Sequence, residues 1–216
     1  MTDSRGIMQR LKEDTRQSHD AAEAQGFMTD LMAGRLPQSV FGAALPQLRR
    51  IRAALEQALE SATSHSTIVA ATFQPHHHLA ATYDPDIAYF NADPLAPANS
   101  GTQRFLDMIR GLKQEDPVLL LAALYVLEGS NLGAQVIKKR LKEVYHLSDG
   151  QGTASMDAHG PLLMPRWREF AQAMDAQPFT EEQKRRLVEV ATTTFQHVGR
   201  LYADVYQSGA ATAPPV

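Results

Sequence analysis

The residues that could do chemistry begin with Lys12, His19 and Glu23, near the start of a 216-residue chain. Each residue of an α-helix turns by about 100° from the one before, so these three share one narrow sector at the edge of an apolar stripe. His19 can point into a helical bundle. Glu23, one turn on, can hold the imidazole through its second nitrogen, as carboxylates do for metal-binding histidines. Lys12, two turns earlier, lies roughly 10 Å along the axis, a reach suited to the anionic edge of a ligand centred on His19. The second group is Gly129 and Gly133, inside an otherwise strong helical pattern from Leu124 to Lys139. Each glycine costs about 1 kcal/mol relative to alanine in a helix, and two glycines four apart share a face. Lacking Cβ atoms, that face admits either a flat ligand against the backbone or a neighbouring helix in a small-xxx-small contact. One helix would then offer a histidine and another a bare backbone surface, with a planar ligand between them.

The elements that must position these groups read as helices throughout. Thr2, Asp3 and Ser4 offer N-caps to a first helix expected from Ser4 to Gln25. Val40, Leu45, Leu48, Ile51, Leu55 and Leu59 mark a second, ending near Ser61, with Arg49, Arg50 and Arg52 partly on its other faces. Residues 62–100 hold Pro75, Pro85, Pro94 and Pro97 and leave room for only a short helix, around 68–72 or 78–81. The pattern resumes at Thr102 to Lys113, then runs from after Pro117 to Tyr145 or His146. A loop from Ser148 to Gly160 precedes a helix over 166–174. Thr180 and Gln183 fit a capping box with Phe179 as staple, opening a last helix through Leu187, Ala191, Phe195, Val198, Tyr202 and Val205. No strand alternation competes. The expectation is an all-α, single-domain bundle of roughly six or seven helices over residues 1–207, with a flexible tail over 208–216.

Composition narrows the function classes. Apolar residues make up 44% and charged residues 21%, an ordinary globular balance, and there is no cysteine. Any metal must therefore be held by His, carboxylate or Tyr rather than by thiolate. A net charge of −3 gives no footprint for a nucleic-acid partner. The N-terminal segment is charged throughout and lacks the apolar core of a secretory signal, and the apolar run Val118 to Leu127 is short for a membrane span. A cytoplasmic protein without membrane contact is expected.

Both motifs together resemble the haem oxygenase family. Leu11-Lys12-Glu13-Asp14-Thr15-Arg16-Gln17-Ser18-His19-Asp20-Ala21-Ala22-Glu23 is similar to the family's proximal helix, and Glu128-Gly129-Ser130-Asn131-Leu132-Gly133 is similar to its glycine-bearing distal helix in the bacterial form. The resemblance implies the haem oxygenase type of bundle, with haem held between these two helices. It implies that His19 is the iron ligand and that Gly129, Ser130 and Gly133 line the side where oxygen reacts. Lys12 matches a position that contacts a haem propionate; Tyr125, one residue out of the family's spacing, and Arg168 match others of that kind. The implied activity converts haem, both cofactor and substrate, to biliverdin, carbon monoxide and ferrous iron, using O2 and electrons from a donor such as ferredoxin or a flavin reductase. Ser130 stands where mammalian members have Asp, and an aromatic hydroxyl usual on the second helix is replaced around Arg52, so proton delivery uses other groups. A haem carrier or sensor, or an enzyme of the same architecture with a non-haem substrate, would be the alternatives.

Three other features are expected to be bland. His76-His77-His78 reads as a solvated loop outside the site. Lys138-Lys139-Arg140 reads as a solvated helix end near the negative pole of the dipole, with reductase docking as its functional alternative. Phe195 reads as core.

Overall fold

The apolar stripes form ten α-helices in a computed structural model that describes residues 5–212, with side chains to Gly209. They are α1 (Ile7–Asp14), α2 (Arg16–Glu23), α3 (Gly26–Ala33), α4 (Gln38–Thr63), α5 (Thr67–Thr72), α6 (Asp84–Tyr89), α7 (Ser100–Glu115), α8 (Leu120–Tyr145), α9 (Leu163–Asp175) and α10 (Glu181–Thr212). The described residues contain no strand, and the expected all-α class is the observed one. The Thr2, Asp3 and Ser4 caps lie outside the described residues.

The higher helix number has local causes. The single first helix expected from Ser4 to Gln25 is broken at Thr15, which leaves helical geometry at φ −102° and ψ 0°. The Thr15 hydroxyl donates to the Leu11 carbonyl at 2.6 Å, a side-chain bond that competes with the backbone ladder. Lys12 thus stands on α1, while His19 and Glu23 stand on α2, so the straight-helix distance between them does not carry over. Residues 62–100 are more regular than their prolines suggest. Besides α5 and α6 they form 3-10 turns at Pro75–His77 and Ala80–Tyr83. Pro75 and Pro85 sit at the first positions of such elements, where no N–H is needed. Buried Asp86 fastens this segment to the later loop by accepting from Ala154 N, Ser155 N and Ser155 Oγ at 2.7–2.8 Å.

The central element is α8, whose residues Leu120 to Leu124 are completely buried. From Pro117 to Tyr145 it is long and apolar enough to cross a membrane by length and composition, but more than half of its apolar window is buried within the bundle. It ends at His146 in the left-handed conformation, φ 53°. The capping box forms as expected, with Gln183 N donating to Thr180 Oγ1 at 3.1 Å and Thr180 N to Gln183 Oε1 at 3.2 Å, and Phe179 is buried. From there α10 runs to Thr212, so residues 208–212, expected as tail, are helical; residues 213–216 lie outside the described residues. α10 packs on α2, α4, α7 and α8.

At Gly101 the backbones of α7 and α10 approach so closely that a Cβ would lie 2.2 Å from Leu201 N. Backbone cannot move aside as a side-chain tip can. Gly101→Ala is therefore expected to destabilise the protein by about 1–3 kcal/mol, read as a lower denaturation midpoint; an unchanged midpoint would contradict this packing.

Candidate active site

His19 lies on α2 with its side chain half exposed. Its Nε2 is 3.5 Å from Glu23 Oε1, the carboxylate expected from the one-turn spacing, and its Nδ1 is 3.3 Å from Asp20 Oδ1, which the sequence reading missed. All three side chains are at least half exposed, so either carboxylate can turn aside to free a ring nitrogen at little cost. Phe195, expected in the core, is half-buried on α10 and meets the imidazole edge-on, with centroids 5.5 Å apart. Lys12 is exposed at the end of α1. A groove of about 650 Å³ follows the seam of α2 and α10 past Ser18, Ala22, Phe195 and Gly199. It flanks the helix of His19 and includes neither His19 nor the glycine face.

The glycine pair on α8 divides in use. A Cβ on Gly133 would meet nothing within 4 Å, and one on Gly129 would meet only the rim of Trp167, at 3.6 Å and 3.8 Å. Neither glycine seats a neighbouring helix backbone, which removes the small-xxx-small explanation. The same side of α8 carries half-buried Tyr125 and Leu132 and the 62% exposed Val136. This is a bare apolar surface on the central helix of the bundle. α2 and α8 both pack on α10 without substantial packing against each other, as a site for a flat ligand between them requires. Ser130 is exposed, and its hydroxyl donates to the Leu127 carbonyl at 2.7 Å. Tyr125 faces Trp167, with centroids 5.9 Å apart, and burial raises its phenol. Arg168 is exposed on α9.

Next to the bare face lies a buried polar cluster that the sequence reading missed. Arg52, placed by that reading partly on other faces of its helix, is 3% exposed. It donates from Nε to Glu56 Oε1 at 3.1 Å and from its terminal nitrogen to Glu128. The other oxygen of Glu128 accepts from His159 Nε2 at 2.8 Å and from Asn131 Nδ2 at 3.3 Å. Arg166 on α9 donates to His159 Nδ1 at 2.9 Å, which fixes the neutral imidazole with its proton on Nε2. Glu56 also accepts the backbone N–H groups of Leu79 and Ala80 at 2.7 Å and 3.0 Å. Burial would raise the Glu128 carboxyl, but the Arg52 charge and the His159 bond outweigh it and hold it down at about 2. A signal was available: Arg52 stands seven residues after Leu45 and seven before Leu59, on the apolar stripe itself, and Glu56 follows at i+4.

The histidine run is likewise not a solvated loop. His77 is 1% exposed, accepts from Gln74 N at 2.9 Å through Nδ1, and stacks near Phe73 at 5.7 Å. His76 and His77 border a cavity of about 60 Å³ with Thr72, Glu169 and Phe170. The described residues contain no group of three potential ligands that could hold a metal ion. Burial pushes the His77 imidazole down to about 3. The basic run is also engaged: Lys138 pairs with Asp157 at 2.7 Å and Arg140 donates to the Met32 carbonyl at 2.9 Å, leaving Lys139 exposed.

The sequence model of the family described as Heme oxygenase matches residues 5–204. The chain belongs to the haem oxygenase family. It is 27% identical over 209 residues to rabbit (Oryctolagus cuniculus) Heme oxygenase 2, covering 94% of this chain and 67% of that protein, and 25% identical over 195 residues to human (Homo sapiens) Heme oxygenase 1, covering 88% and 68%. It spans about two thirds of the length of these curated relatives. Among solved structures it is similar to the heme oxygenase of Leptospira interrogans, with a TM-score of 0.85 at 21% identity over 92% of this chain and 99% of that one. Heme oxygenase-2 of Synechocystis, solved with heme and NO, gives 0.87 at 23% over 97% and 89%. A TenA homologue from P. horikoshii shares the architecture at 0.72 and 14% over 95% and 100%, so within this fold it is the site that distinguishes the families.

Two outcomes test the site's physics. Gly133→Ala, at an open mid-helix position, is expected to stabilise the protein by about 0.5–1 kcal/mol, the opposite sign to Gly101→Ala, in chemical denaturation. His77 has a folded pKa well below the unfolded value of 6.5, so its neutral burial favours folding above that value, and the benefit is lost as pH falls from 6.5 towards 3. The slope is about 1.4 kcal/mol per pH unit for one proton. His77→Asn, which keeps an acceptor for Gln74 N, is expected to flatten the acid limb of the stability curve by that amount. Parallel curves for the two proteins would show that His77 is not buried neutral.

Proposed function

We propose that the protein is a haem oxygenase, opening haem with O2 and external electrons to biliverdin, carbon monoxide and ferrous iron. The observation that carries this reading is the bare α8 face at Gly133, which borders no protein atom where a Cβ would stand and belongs to a bundle whose other motif helix presents His19. The residues present fit the group. An exposed imidazole flanked by two carboxylates suits an iron ligand whose second nitrogen needs an acceptor. A Cβ-free apolar surface suits the face of a macrocycle. When bound, haem supplies the redox iron and is itself the substrate.

The chain's own residues then divide the work. His19 binds iron through one neutral ring nitrogen while Glu23 or Asp20 accepts from the other and fixes the ring. Lys12 and Arg168, exposed cations on two helices that pack together, hold the anionic propionate edge, with Tyr125 as a protonated donor nearby. Gly129 and Gly133, where no Cβ stands between the α8 backbone and a flat ligand, would let the ring lie close against that helix. Ser130, its proton committed to Leu127 O, offers its oxygen as an acceptor to an ordered water. A separate donor such as ferredoxin or a flavin reductase supplies electrons, and a cytoplasmic location is part of the same proposal.

Ferric haem titrated into the wild-type protein is expected to bind near one-to-one with a nitrogen-ligated spectrum, and His19→Ala is expected to lose that ligation and bilin formation while keeping its helical content. An identical ferric spectrum in the variant would exclude His19 as the ligand.

A further inference from the structure

The chain has one tryptophan, and it stands at the end of the bare face of α8. A Cβ on Gly129 would meet the six-membered rim of Trp167, Cη2 at 3.6 Å and Cζ3 at 3.8 Å, whereas at Gly133 it would meet nothing. The face is walled at one glycine and open at the other. The wall is firmly held for a half-buried side chain. Its ring packs between those of Tyr125 and fully enclosed Phe170, each with its centroid 5.9 Å away. One residue earlier, Arg166 reaches buried His159, which bonds Glu128, the residue before Gly129. The indole and the glycine are thus tied together through both tilted ring contacts and a hydrogen-bond chain. An aromatic side chain has two torsions to give up, so ordering it as a stop is inexpensive.

A square macrocycle with its anionic groups on one side can seat in more than one in-plane rotation, because cations such as Lys12 and Arg168 fix that side only through flexible stems. A rigid contact at another edge selects among the rotations. Resting on the haem reading of this site, we propose that Trp167 is that stop: the ring advances over the open Gly133 end of the face until its edge meets the indole at Gly129, and this contact decides which bridging carbon is oxidised. The four bridging carbons differ in their neighbouring substituents, so a changed seat appears as a changed bilin isomer.

Because Trp167 is the sole tryptophan, the full chain grown with 5-fluorotryptophan carries a single fluorine resonance. Titration with zinc protoporphyrin, which is diamagnetic, accepts one axial nitrogen and does not turn over, is expected to move that resonance saturably through the porphyrin ring current, in step with the Soret change. In parallel, Trp167→Phe and Trp167→Ala are expected to keep helicity and the ferric haem spectrum but to change the ratio of biliverdin isomers several-fold, the alanine variant more. A resonance that stays still while the porphyrin binds would overturn the proposal even if neither variant folds. An unchanged isomer ratio in both folded variants would overturn it too. Failure of the wild-type protein to bind porphyrin, or to form bilin from bound haem, would instead sink the proposed function and take this stop with it.

Discussion

A carboxylate buried in the central helix of a bundle has to be paired, and the pairing of Glu128 with Arg52 is the constraint on which the rest of the site depends. Arg52 and Glu128 are 3% and 5% exposed, and neither charge is tolerable there alone. The pair recruits a partner from each neighbouring element. Glu56 on α4 shares the guanidinium, His159 from the loop before α9 takes the second Glu128 oxygen, and Arg166 closes the chain from α9. Removing one partner would leave an uncompensated buried charge at a cost of about 3–5 kcal/mol, so the cluster resists sliding of α8 against α4 and α9.

A helix clamped along one flank can leave another uncovered. On α8 the clamped flank carries Glu128 and Asn131, while the flank with Gly129, Gly133 and Val136 faces only the rim of Trp167 and open space. Glycines at such positions lower helix stability without any packing return inside the protein, which is the pattern expected where a ligand supplies the missing contact. Histidine and bare backbone lie on separate helices joined through α10. Their separation is therefore set by a long, rigid element rather than by a loop.

Much of this was legible in the sequence wherever a group announces itself through local pattern. The His19–Glu23 spacing, the glycines of α8 and the Thr180–Gln183 cap depend on neighbours within a turn or two, and each appears where the pattern put it. Arg52 misled because arginines at 49, 50 and 52 look alike until the stripe through Leu45 and Leu59 is drawn through the last of them. Its partner lies 76 residues away on another helix. His77 misled for a similar reason: flanking Pro75 signals a turn, but its burial comes from Phe73 and Phe170, one of them on α9. The break at Thr15 depends on a hydroxyl choosing its own backbone over solvent, which the apolar periodicity does not report. Nothing in the local pattern singles out Trp167, because its importance comes from contact with a glycine on a different helix.

The most direct test is an aerobic turnover of haem bound stoichiometrically to the purified protein, with reductant supplied and the spectrum followed through to product. Loss of the Soret band with growth of a biliverdin spectrum and release of one carbon monoxide per haem is the expected result. A haem complex that forms, is reduced and reoxidised under oxygen, and keeps its Soret band with no bilin or carbon monoxide released would contradict it.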